Sequence, residues 1–124
     1  MADSWRDAPA LVAVASKTGE RIDECFGRAA VYRIYEAMPE GGYRLRETRS
    51  GPAPCREQWH DPAVLAAAAR LLSDCDLALA GRIGPEAIRQ LAALGVVGLA
   101  VNNLEIGEAL ARLTRRAAAR VRTG

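Results

Sequence analysis

The fold turns on Val12–Glu36, VAVASKTGERIDECFGRAAVYRIYE. The stretch starts inside the apolar run Ala10–Ala15 (ALVAVA), the pattern of a strand buried on both faces. Ser16–Glu24 is polar and contains Gly19, which marks a loop. Val31–Ala37 (VYRIYEA) is rich in β-branched and aromatic residues and reads as a second strand. Between the strands lies Cys25-Phe26-Gly27-Arg28, and Cys25–Ala30 reads either as a short helical turn or as an irregular connection. A soft sulfur donor, a glycine and an arginine are therefore carried between two buried elements, a set that suits an anionic, metal-containing ligand.

Outward from this stretch, Pro39-Glu40-Gly41-Gly42 is a strong turn signal. Tyr43–Thr48 (YRLRET) alternates and reads as a half-exposed partner strand, closing a hairpin. Arg49–Trp59 contains Gly51, Pro52, Pro54 and Cys55 without periodicity, a loop longer than most connections. Asp61-Pro62 opens a helix, because Asp accepts from free backbone N–H groups and Pro suits the first helical position. That helix is expected to reach Leu72, with Val64, Leu65, Ala68, Leu71 and Leu72 on one face. Asp76–Ala80 is a buried strand. Gly84-Pro85-Glu86 starts a second helix that ends near Gly95, a glycine C-cap. Val96–Val101 is the last strand, and a helix follows from Glu105 to Arg120.

The order β-β-β-α-β-α-β-α predicts an α/β fold with a mixed sheet: an antiparallel hairpin, then parallel strands joined by right-handed crossovers. Residues 1–9 read as a flexible lead-in, 10–120 as a single domain and 121–124 as a tail. A chain of 124 residues can support a core without staples. Half of the residues are hydrophobic, yet there are only two Trp, three Tyr and one Phe. The core is therefore mostly aliphatic, as helices packed on a buried sheet require.

A net charge of +2 is too small to argue for nucleic acid. The charge is uneven, however: Arg112, Arg115, Arg116, Arg120 and Arg122 crowd the C-terminal stretch. They read as the solvated face of a terminal helix or as a docking patch for an acidic partner. Three cysteines without a signal peptide argue for a reducing compartment. No run is long and apolar enough to span a bilayer. The expectation is a soluble, cytoplasmic protein.

Several chemistries lack their signatures. No nucleophile motif surrounds Cys25 or Cys55, although either one with His60, the sole histidine, would make a Cys–His pair. Gly81-Arg82-Ile83-Gly84 has neither phosphate-loop nor dinucleotide spacing. The absence of CxxC or HxxxH spacing argues against a closed zinc site. What remains is a sparse soft-donor set on two loops: Cys25 on the first, Cys55 and His60 on the second. Such donors suit iron–sulfur species, and so few would leave a cluster partly uncovered, as a carrier requires. The same residues also read as ordinary loop and helix-start residues. Cys75, at the entrance to a buried strand, reads as core. Arg28 and Arg82 read as anion partners or surface residues, and Trp59 as a ligand cover or a packing residue.

The stretch 12–36 resembles the opening of the dinitrogenase iron–molybdenum cofactor biosynthesis family, of the NifX, NafY-core and NifB C-terminal type. Members carry a strand ending in Ala-Xaa-Ser, a glycine loop, a His-Phe-Gly-Xaa-Ala motif and a Phe/Tyr-Xaa-Ile-Tyr-Glu strand. Phe26, Gly27, Ala29 and Tyr32-Arg33-Ile34-Tyr35-Glu36 match. Leu72-Ser73-Asp74-Cys75-Asp76, Gly81-Arg82-Ile83-Gly84-Pro85-Glu86-Ala87, Leu91 and Leu94-Gly95-Val96 are also similar, so the resemblance spans roughly residues 10 to 113. It implies a three-layer α/β/α, ribonuclease-H-like fold with a mixed five-stranded sheet. It further implies non-enzymatic binding and carriage of an iron–sulfur or molybdenum–iron–sulfur cluster or its precursor in nitrogenase cofactor assembly. The expected partners are nitrogenase assembly proteins or apo-nitrogenase. The expected binding residues are Cys25, Phe26, Gly27, Arg28, Cys55 and His60, with Cys25, Cys55 and His60 as metal ligands. The family's histidine before Phe-Gly is Cys25 here, a swap that keeps a ligand and makes it softer and anionic when ionised. A second reading is a metal-free interaction domain of the same fold that docks through its arginine-rich helix.

Overall fold

A computed structural model of the chain describes residues 9–52 and 61–123. Five strands and three helices follow in the expected order: β1 (Leu11–Ala15), β2 (Val31–Ala37), β3 (Tyr43–Ser50), α1 (Pro62–Leu71), β4 (Leu77–Ala80), α2 (Pro85–Ala93), β5 (Val97–Ala100) and α3 (Ile106–Thr123). The sheet order is β3-β2-β1-β4-β5. β1 pairs antiparallel with β2 and parallel with β4, β2 pairs antiparallel with β3, and β4 pairs parallel with β5. This is the mixed five-stranded sheet anticipated above.

Side-chain alternation divides the core in two. Ala13 and Ala15 of β1 and Ala78 and Ala80 of β4 face α1 and α2, where they meet Leu65, Ala68, Ala69, Leu72, Ala87 and Leu91. Val12, Val14, Leu77 and Leu79 point the other way and pack with Ile106, Ala109 and Leu110 of α3. The result is three layers, α/β/α. Alanine on one face lets two helices approach the sheet closely. Larger aliphatics on the other face fill the space under a single helix.

Local chemistry sets the element ends. Asp61 caps α1, its Oδ1 accepting from Ala63 N at 2.8 Å, with Pro62 at the first helical position. Gly95, with φ of 81°, closes α2: its N–H reaches Ala92 O at 3.0 Å and the Val96 N–H reaches Leu91 O at 2.9 Å. That double bond pattern is a Schellman motif, and it needs a left-handed residue at this point.

Most bounds fall within a residue of expectation, and two differ by more. β3 continues through Arg49 and Ser50, which pair with Tyr32 and Val31, so the loop begins at Gly51. The Arg49 guanidinium explains the extension: it donates to Leu71 O and to both Asp74 oxygens, at 2.7–2.9 Å, and so ties the edge strand to the end of α1. α3 runs to Thr123, past the expected end at Arg120. Cys75 is buried as expected, at 3% exposure. Its thiol is pushed up to about 12, first by desolvation and then by the Asp74 charge.

Candidate functional site

β1, β3, β4 and β5 all run in one direction, because each is parallel to β1 or antiparallel to β2. Their carboxyl ends therefore share one edge of the sheet. The loops that follow β1, β4 and β5 carry Cys25, Arg82 and the Asn102-Asn103 pair. Ligands of open α/β sheets commonly bind outside these carboxyl ends.

The β1–β2 loop is laced to its neighbours by backbone bonds. Gly81 N donates to Glu24 O at 2.9 Å, and Phe26 N donates to Arg82 O at 2.9 Å. Cys25 and Arg82 form a parallel bridge between these bonds. The loop thus extends β4 beyond Ala80. Gly81 suits this close approach, since a Cβ there would stand 3.1 Å from Ile22 O and 3.3 Å from the Asp23 carbonyl carbon, a tight fit. A second set of bonds joins the loop to the β5–α3 connection: Ile22 N to Leu104 O, Asn103 N to Ile22 O, and Ile106 N to Glu20 O, all at 2.8–3.0 Å. Asn102 and Asn103 take φ of 37° and 67° to make this connection, a region that Asn tolerates better than most residues. Ser16 Oγ accepts from Gly19 N and Asp23 Oδ1 from Lys17 N, which closes the first part of the loop.

Cys25-Phe26-Gly27-Arg28 is a tight turn, closed by Arg28 N donating to Cys25 O at 3.1 Å. Gly27 has φ of 88°, which fits the third position of a type II turn. This resolves the two readings of the segment in favour of the irregular connection. The turn is anchored from inside the protein. Phe26 is buried, its ring 5.7 Å from that of Tyr32, and the Tyr32 hydroxyl accepts from Gly27 N at 3.0 Å. Burial pushes the Tyr32 phenol up to about 12, against the pull of the Gly27 N–H and with a smaller push from Glu24. The hydroxyl is thus neutral at physiological pH and serves as a fixed acceptor.

The turn leaves Cys25 half-buried and Arg28 exposed. Arg82 is also exposed, and among the described residues neither arginine has an ion-pair partner. α2 begins just beyond Arg82, and its N-cap Gly84 supplies no side-chain acceptor. One thiol, two guanidinium groups and an uncapped helix start therefore gather on adjacent loops. The set can hold a soft ligand atom and offset negative charge.

Cys55, His60 and Trp59 lie outside the described residues. The start of their loop is fixed, however. Gly51 N donates to Ala30 O at 2.8 Å, and a Cβ on Gly51 would fall 1.9 Å from Ala29 O. The second loop thus leaves the sheet in contact with the end of the first. Among the described residues no three His, Cys, Asp or Glu side chains form a metal-binding group. A separate depression of about 570 Å³, lined by Gly19, Arg21, Tyr35, Glu105 and Leu110 among others, contains neither Cys25 nor Arg82.

Of the C-terminal arginines, Arg112 and Arg115 converge on Glu108, at 3.0 and 3.2 Å. Arg116 is exposed, and the side chains of Arg120 and Arg122 lie outside those described. No helix among the described residues is long and apolar enough to cross a membrane.

Sequence reasoning missed the Tyr32 hydroxyl and the left-handed backbone of Asn102-Asn103. The Asn-Asn pair directly after a strand was a left-handed signal. The hydroxyl left no local signal, because its partner is set by the turn.

Comparison with known proteins agrees with this architecture. The profile described as "Dinitrogenase iron-molybdenum cofactor" matches residues 9–116. The FeMo cofactor biosynthesis protein NifB of Frankia alni is 37% identical over 123 residues, covering 91% of this chain and 23% of that protein. Protein NifY of Azotobacter vinelandii is 38% identical over 85 residues, covering 68% of this chain and 33% of NifY. The chain thus spans a third or less of the length of these relatives. The crystal structure of PH0822 superposes with a TM-score of 0.62 at 15% identity, covering 86% of this chain and 91% of that one, and shares the fold.

Proposed function

The chain belongs to the dinitrogenase iron-molybdenum cofactor family, and from that premise we propose that it binds and carries an iron–sulfur or molybdenum–iron–sulfur cluster, or its precursor, as cargo. No bond-making chemistry is assigned to it. The observation that carries the reading is the backbone bridge between Cys25 and Arg82 at the carboxyl ends of the strands. It puts the half-buried Cys25 beside the exposed Arg82, with the exposed Arg28 at the far end of the same turn. Thiolate is the donor that iron–sulfur species prefer. The arginines offset the cluster's negative charge, and Phe26 and Gly27 shape the turn that presents the sulfur.

One described thiol leaves most of a cluster's metal sites open, and Cys55 and His60 on the adjoining loop are the proposed further ligands. Sparse ligation favours release over permanent storage. The acceptors proposed for this cargo are nitrogenase assembly proteins or apo-nitrogenase. Anaerobic reconstitution with iron and sulfide tests the reading. The protein is expected to acquire a sulfur-to-iron charge-transfer band that Cys25→Ala weakens severely. A band that fails to form, or that forms equally in Cys25→Ala, sinks the proposal.

A further inference from the structure

The proposed cargo site leaves the arginines of α3 unused. Of the chain's 17 basic and 15 acidic residues, this helix holds five arginines and one glutamate. It therefore carries +4 and the rest of the chain −2, so the net charge of +2 conceals a polarised molecule. Helical spacing sorts the charge onto one side. Arg112, Arg115 and Arg116 stand three and four residues apart and share a face with Glu108, one turn earlier. Ile106, Ala109, Leu110 and Leu113 occupy the other side and pack against the sheet.

The grouping exceeds what the helix itself can use. Glu108 is the only acidic residue of α3, and it accepts from both Arg112 and Arg115, at 3.0 and 3.2 Å. One carboxylate thus serves two guanidinium groups, which stay 59% and 63% exposed. Arg116 is exposed, and among the described residues it has no ion-pair partner. Like charges at these spacings weaken a helix. Cations offset the helix dipole only in the last turn. Arg120 and Arg122 belong to that turn, but Arg112, Arg115 and Arg116 precede it.

We propose that the Arg112, Arg115 and Arg116 face of α3 is the docking surface for a partner protein that presents a cluster of carboxylates. Guanidinium forks match carboxylates in bidentate fashion. Two other anionic partners fit this face less well. The apolar side of α3 is already packed on the sheet, so the helix has none left to lay into a bilayer. A nucleic acid would extend past the helix over a remainder of net −2, and its binding rests on more phosphate contacts than one short helix face supplies. The patch also stands apart from the Cys25 turn. α3 begins at the edge of the sheet that carries the turn, where Ile22 N donates to Leu104 O. Arg112 to Arg116 lie roughly 9–15 Å along the helix axis from Ile106. A partner held there leaves the Cys25 turn open.

Fluorescence anisotropy of a labelled hexaglutamate peptide, titrated with the whole metal-free chain across a salt series, tests the proposal. The readout needs no metal, so it is independent of the cargo reading. Wild-type protein is expected to bind the peptide, with an affinity that falls as salt rises. Arg112→Gln/Arg115→Gln/Arg116→Gln is expected to weaken binding about tenfold or more with unchanged circular dichroism. Arg44→Gln/Arg46→Gln/Arg89→Gln removes the same charge from exposed positions elsewhere and is expected to change binding less than about twofold. Should the first triple variant fail to fold, Arg116→Gln alone is expected to weaken binding about threefold. A wild-type chain that leaves the peptide unbound at low salt overturns the proposal. So does an equal loss in the two triple variants, or no loss in the first. Tighter binding of a charge-matched oligonucleotide or of phosphatidylserine vesicles than of the peptide overturns it in favour of those partners.

Discussion

Tyr32→Phe removes one oxygen atom and tests how the Cys25 turn is held. The Tyr32 ring is 1% exposed and rests 5.7 Å from the Phe26 ring, so the substitution leaves the packing of the aromatic pair in place. What is lost is the acceptor for the Gly27 N–H, now bonded at 3.0 Å inside the protein. A buried donor left without a partner costs about 1–3 kcal/mol. Removing the hydroxyl's own desolvation recovers part of that, so a net loss of about 1–2 kcal/mol is expected. For a domain of this size it amounts to a fall in Tm of about 3–10 °C. Thermal unfolding at neutral pH measures it, and urea unfolding with an unchanged slope confirms that the compactness of the two states is unaltered. Amide exchange at Gly27 is expected to accelerate more than exchange in β1. A Tm within about 1 °C of wild type would refute the reasoning, because the hydroxyl would then contribute no net hold on the turn.

Three further outcomes are expected. Asp74, held at about 2 chiefly by its hydrogen bonds from Arg49, contributes stability above its unfolded pKa near 3.8. That contribution is lost as the pH falls from about 4 through 2. Asp74 is about half-exposed, so Asp74→Asn costs about 1 kcal/mol or less at pH 7, and acid titration of stability is expected to show a shallower fall in the variant. Cys75, Tyr32 and Tyr43 are all raised to about 12 by burial, so their share of stability is present below their unfolded values and declines as the pH rises toward 12. Cys75→Ala is expected to remove the earliest part of that alkaline decline, near pH 9–10, as followed by equilibrium unfolding. Gly51→Ala forces a Cβ against Ala29 O and moves the junction of the two loops, at a cost of about 1–3 kcal/mol in urea unfolding.

Much of the fold was legible because its signals are local. ALVAVA and DLALA are apolar on both faces, which only a central strand can use. Asp61-Pro62 and Gly95 marked helix ends by backbone chemistry that needs no tertiary context. β3 outran its alternating pattern because Arg49 is fixed by Asp74, a residue 25 positions away, and no local pattern carries that bond. The division of the core into an alanine face and a Val/Leu face was present in β1 and β4, but it acquired meaning only once α1 and α2 were seen to share one side.

The site was legible in part. Cys25 and Arg28 could be placed on a loop from sequence, and Gly27 signalled a turn. The pairing of Cys25 with Arg82 could not be read, because it depends on β1 and β4 being neighbours and on Gly81 admitting the loop. Gly51 likewise showed its purpose only when it was found against Ala29. Cys55 and His60 lie beyond the described residues, so the second half of the expected donor set stands on the sequence alone.

The most direct test of the carrier account is the amount of iron and acid-labile sulfide retained per chain after anaerobic reconstitution and gel filtration. Cys25→His, which keeps a metal ligand at this position, is expected to retain iron with an altered absorption spectrum. Cys25→Ala is expected to lose most of it while keeping the wild-type fold by circular dichroism. Equal retention of iron and sulfide by wild type and Cys25→Ala would contradict the account.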